Sequence, residues 1–110
     1  MKQPKRQIQP LNVMAQDAVR IASGWLWDHL PDRFSPADPV LDEQKQCWHV
    51  PIVLAYAGIA VGQAGEILVD ARTGDIVRHT EVADIKSLGL KLARKHRAKV
   101  RAAFLRTRNA

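Results

Sequence analysis

The sequence has few of the residues that redox or deeply enclosed chemistry needs. It carries one cysteine, Cys47, so no internal disulfide can form. That thiol, next to Trp48 at the start of an apolar stretch, reads as a small core hydrophobe. No apolar run approaches the roughly 20 residues that cross a bilayer. The basic opening MKQPKRQIQPLNVM lacks the apolar core of an export signal. These absences predict a cytoplasmic, soluble protein without a membrane span. Carboxylates are missing from one end: all eleven lie at or before Asp84.

What fills that end is positive charge. From Ile85 onward there are nine cations, Lys86, Lys91, Arg94, Lys95, Arg97, Lys99, Arg101, Arg106 and Arg108, and no acid. The stretch before it carries eight cations against the eleven acids, so a mildly acidic body precedes a strongly basic tail within a net charge of +6. The asymmetry points to an anionic partner for the tail. With 110 residues, 46% of them hydrophobic, the chain has the makings of one packed domain. Its core would be modest, which favours surface binding over a buried active site.

Along the chain, residues 1–11, with Pro4 and Pro10, read as a loose arm. Asn12 can cap a helix to about Leu30, with Met14, Ala18, Ile21, Ala22, Trp25 and His29 on its inward face. Residues 31–46 hold several prolines and predict a loop. From Cys47 the period becomes two: Trp48, Val50, Ile52, Leu54 and Tyr56 share one face of a strand, and Pro51 places that strand at an edge or a bulge. AGIAVGQAG reads as a connection to a strand over Glu66–Ala71, and ARTGDI as a turn into a third strand, Ile76–Thr80, in a meander. Gly74 suits a left-handed position. Thr80 can cap a second helix over about Glu81–Arg106.

The hairpin GEILVDARTGDIV invites chemical readings that its residues do not support. A Walker loop needs a Lys-Ser/Thr pair after its glycines, and VGQAGEI has none. A dinucleotide fingerprint leads from strand to helix, whereas Gly58, Gly62 and Gly65 lie between two expected strands. Asp70 and Asp75 flank a tight turn, where aspartate commonly binds backbone amides. Cys47 and His49 could face the same way, but two ligands make a poor metal site. His29, His79 and His96 are far apart in sequence. No catalytic residue, metal or cofactor is expected.

The stretch CWHVPIVLAYAGIAVGQAGEILVDARTGDIV resembles the PepSY domain family over about residues 12–80. The resemblance rests on Trp48, Val50, Pro51, Val69, Asp70, Ala71, Thr73, Gly74, Asp75 and Ile76, with the helix after Asn12 in the family's position. It implies a helix across an antiparallel sheet in a non-catalytic binding or inhibitory module. Trp48, Asp70, Thr73, Gly74 and Asp75 are then a structural hairpin signature. An absent export signal and an added basic helix depart from the family's pattern.

The expected architecture is α+β: an N-terminal helix on a three-stranded antiparallel sheet, then a long basic C-terminal helix. Residues 12–95 form the domain and 96–110 a basic helical tail. On the second helix, Ile85, Leu88, Leu92, Val100 and Ala103 form an apolar arc that includes Gly89 and His96. The tail's default role is a solvated end matched to the helix dipole. As a functional segment it would grip an acidic protein through Arg94, Arg97, Arg101, Phe104, Leu105 and Arg106, as an antitoxin covers a ribonuclease-like toxin. Nucleic-acid binding through the same tail is the alternative. Against sequence-specific recognition, Phe104 is the tail's one aromatic and no helix-turn-helix or RNP-like motif is present. A membrane-surface helix fits less well, because the apolar arc is narrow and lacks Trp.

Overall fold

A computed structural model of the chain describes residues 12–31, 33–56 and 59–108; the arm anticipated at 1–11 lies outside them. The side chains of Ile59, Ala103, Phe104, Arg106, Thr107 and Arg108 also lie outside the described set. The elements in order are α1 (Ala15–His29), β1 (Phe34–Pro36), β2 (Val40–Asp42), β3 (Cys47–Tyr56), β4 (Ile59–Asp70), β5 (Ile76–His79), α2 (Val82–Lys95) and α3 (Arg97–Arg108). The sheet thus has five strands rather than the expected three, and two shorter helices replace the single long one. It is antiparallel, ordered β1-β3-β4-β5, with β2 paired to β3 on the same side as β1.

The two extra strands come from the proline-rich loop. Phe34–Pro36 pairs with Ile52–Leu54, and Val40–Asp42 pairs with Cys47–His49. Each is only three residues long. Proline is tolerated in such edge strands because its missing N–H can face away from the ladder, so a proline count alone does not mark a loop. The same logic places Pro51. Its carbonyl accepts the Ala37 N–H at 2.9 Å, so its nitrogen faces the gap between β1 and β2, where no ladder bond is needed.

The expected connection AGIAVGQAG is mostly strand. Ile52 pairs with Gly65 but Val53 with Gln63, and Leu54 pairs with Gly62 but Ala55 with Ala60, so Ala64 and Val61 are bulged residues of β4. The glycines that suggest a loop instead let α2 approach the sheet. A Cβ on Gly62 would lie 2.7 Å from a Leu92 methyl, and one on Gly65 2.9 Å from Thr80 Cβ and 3.1 Å from Ile85 Cγ1. Thr80 is held, its hydroxyl accepting the Glu66 N–H at 3.0 Å and its own N–H donating to the Glu66 carbonyl at 3.0 Å. Gly65→Ala is therefore expected to destabilise by about 1–3 kcal/mol through overpacking, read as a lower urea midpoint with an unchanged slope.

The helices α1 and α2 share one core on a single sheet face. Val13, Ala18, Ala22 and Leu26 pack with Val50, Ile52, Ile67, Val69 and Ile85. The period-two face of β3 is seen directly, with Val50, Ile52 and Leu54 buried. The inward face of α1 is Ala18, Ala22 and Leu26; Met14 and His29, expected there, are exposed. Met14 is also the N-cap in place of Asn12, its N–H bound by the Asp17 carboxylate at 3.0 Å. Asn12 donates instead to the Arg72 carbonyl, tying the helix entry to the hairpin. Trp48 closes that corner with an indole N–H bond to the Val13 carbonyl at 2.8 Å. Trp48→Phe keeps the ring but orphans that part-buried carbonyl, and about 1–3 kcal/mol of unfolding free energy should be lost in a denaturant titration.

The long-helix expectation fails at His96. There the backbone leaves helical geometry, at φ −113° and ψ 36°. No proline or glycine marks the break. It falls just beyond Leu92, which packs over Gly62. Thr80 does not cap α2 either: Glu81 takes that position, without a side-chain cap bond, because the Thr80 hydroxyl is engaged with Glu66.

Candidate functional site

The hairpin that first suggests chemistry is held by its own hydrogen bonds. The Asp70 carboxylate accepts the N–H groups of Arg72 at 2.7 Å and Thr73 at 3.1 Å, and the Thr73 hydroxyl accepts the Asp75 N–H. Gly74 closes the turn at φ +83°, donating to the Asp70 carbonyl. The Ala71 N–H donates to Gln46, and the Ala71 carbonyl accepts from Val13. The turn thereby fastens the β2–β3 connection and the entry to α1. Gly74→Ala should cost about 1–2 kcal/mol from the left-handed backbone alone, measured as a drop in unfolding free energy.

Acid should loosen this corner. The two backbone N–H bonds hold the Asp70 carboxyl below its ordinary 3.8, and Asp17 and Asp42 are lowered chiefly by the backbone N–H groups of Met14 and Lys45. A carboxylate lowered by folding stabilises the native state above its unfolded pKa and loses that contribution as pH falls through the folded value. Stability is therefore expected to fall below about pH 4. Asp70→Asn should flatten part of that decline in unfolding curves measured across the acid range.

Three of the four histidines, His29, His49 and His79, are engaged by neighbouring groups. His29 donates from Nδ1 to the Trp25 carbonyl at 2.8 Å and stacks on the Trp25 ring at 4.4 Å, while His79 donates to the Thr80 carbonyl. His49 stands between Asp42, 3.5 Å from Nε2, and Glu66, 3.3 Å from Nδ1. No group of three or more His, Cys, Asp or Glu suited to a metal occurs among the described residues. Cys47 is buried, with its thiol donating to the Lys45 carbonyl.

The tail residues are placed very differently. Arg94 is exposed at the end of α2, and Arg97 and Arg101 lie exposed one turn apart on α3. Leu105, a further turn along, is 50% exposed. The break at His96 places Arg94 on a different helix from Arg97 and Arg101. Phe104 and Arg106 belong to α3, with side chains outside the described set. Among the described residues, ion pairs involve Arg20, His49 and Arg72 but none of the cations from Lys86 onward. Of the apolar arc expected on this segment, Ile85 and Gly89 are buried and Leu92, His96 and Val100 half-buried, whereas Leu88 is exposed.

A second surface has no counterpart in the sequence reading. Trp27 is 79% exposed and Leu90 57% exposed, on either side of the half-buried Phe34. Arg33 lies over the Tyr56 ring at 5.5 Å and donates to its hydroxyl at 3.4 Å. These side chains come from α1, β1, β3 and α2, so no local pattern could have joined them; an exposed Trp next to a helix stop was the one available hint. No described helix is long and apolar enough to cross a membrane. No protein-family model, no curated protein and no solved structure matches the chain.

Proposed function

We propose that the chain is a non-catalytic, cytoplasmic binding module that grips an acidic partner protein through the cationic segment of α2 and α3. The observation that carries this reading is the run of cations from Lys86 onward, none of which pairs with a carboxylate among the described residues. Such a segment raises the local potential and steers anionic surfaces toward it. A metal-dependent ribonuclease, whose carboxylate cluster must stay open for its ions, offers a matching target, so the module fits the part of an antitoxin-like inhibitor. A buried free thiol at Cys47 suits a reducing compartment. The helix followed by a β3–β4–β5 meander, with its Val-Asp-Ala-x-Thr-Gly-Asp-Ile turn, supports kinship of the body with PepSY modules.

The test is native pull-down with the full chain and with a form ending at Lys95. A partner lost on truncation, with ribonuclease activity suppressed only by the full chain, is the expected result. Retention by the truncated form would refute the reading. Phosphate recognition is separated by salt: binding to nucleic acid should fall linearly in log–log form, with a slope near −0.9 per phosphate neutralised, and should tolerate Phe104→Ala, whereas partner docking should not.

A further inference from the structure

Two hollows of about 180 and 170 Å³ meet at Pro31 and Phe34. Among the described residues the first has no charged side chain in its lining, and it carries Trp27 on its wall. The second has Leu90 on one side and the cations Arg33 and Lys86 on its margin. Neither cation pairs with a carboxylate among the described residues, and no described carboxylate lines either hollow. A solvent-exposed tryptophan beside apolar hollows and an arginine is the residue chemistry of an interface centre. Each hollow has room for one large apolar side chain, and the rim favours negative charge next to it.

We propose that this groove is a docking site for a segment of a partner protein that carries two large apolar side chains flanked by acidic residues. One apolar side chain enters on each side of Phe34, and Arg33 and Lys86 meet the neighbouring carboxylates. The groove opens beside α2, so its occupant lies next to the cationic tail and can use both. This inference rests on the protein-partner reading given above, and it adds a second anchoring point, away from α3, to the contact made by the tail.

The experiment is an NMR titration of the full chain with two blocked peptides, Glu-Glu-Leu-Glu-Glu-Glu-Leu-Glu and the same peptide with both leucines replaced by glycine. The leucine peptide is expected to shift the Trp27 indole N–H and the amides of Phe34 and Gly89, whereas the glycine peptide shifts only α3 amides such as Arg97 and Arg101. Trp27→Ser should weaken the leucine peptide by about tenfold and leave the glycine peptide unchanged, with the fold intact because that ring is exposed. Lys86→Gln should likewise weaken the leucine peptide and leave the glycine peptide unchanged. Identical shifts from the two peptides, confined to α3, would overturn the groove and leave the tail reading standing. No shifts from either peptide would overturn both. A single-stranded oligothymidine that moved Trp27 and Phe34 as strongly as the leucine peptide would assign the groove to base stacking and overturn the proposal.

Discussion

Ile85→Ala is expected to remove about 2–5 kcal/mol of stability, the range for a large aliphatic residue cut back in a packed core. Ile85 is fully buried and is the one α2 residue within the central core cluster. It lies against Gly65, where the sheet lacks a side chain. The truncated side chain would leave a void that the bulged β4 backbone, pinned by the Glu66–Thr80 bonds, could not easily close. Small domains are stable by only about 5–15 kcal/mol in total, so the loss should be plain in a urea titration. A second signature follows from position. Loosening α2 moves Lys86 and Leu90, so amides around the groove should broaden under conditions where those of β3 remain sharp.

Neutralising Arg94, Arg97 and Arg101 together to glutamine is expected to act in the opposite way. Binding to an acidic partner should weaken by at least about tenfold at moderate salt, taking roughly 0.5–1 kcal/mol for each exposed, screened pair. Folding stability should stay level or rise slightly, since these cations have no carboxylate partners among the described residues and repel one another. Partner affinity measured by calorimetry, alongside a thermal midpoint on the same variant, separates the two effects. A large fall in midpoint with unchanged affinity would assign these arginines to the fold rather than to recognition.

Much of the body can be read from local pattern. The alternation from Trp48 to Leu54 marks β3, and the Asp70–Thr73–Gly74 spacing marks a turn whose bonds are backbone to side chain over two or three residues. The helical repeat of Ala18 and Ala22 marks α1. Elements whose cause lies far along the chain are not legible in this way. β1 and β2 are strands because β3 lends them a ladder, not because Phe34–Pro36 or Val40–Asp42 prefer one. The first half of β4 looks like a glycine linker until α2 is seen to need Gly62 and Gly65. The end of α2 at His96 has no sequence breaker. The tail's charge is plain in the sequence, but its two-part geometry and the Trp27–Leu90 groove depend on four elements meeting.

The corner at His96 bears on how the molecule would be handled by whatever holds it. The His96 N–H still donates to the Leu92 carbonyl, and the His96 carbonyl still accepts from Val100, so the bend is bridged on both sides. An arm joined through such an elbow works as a bracket rather than a tether: capture of α3 fixes the heading of the entire body. Whatever else is presented by the sheet and by α1 is then aimed in one direction, and a spacer of a few glycines inserted at His96 would preserve the grip while scrambling the aim.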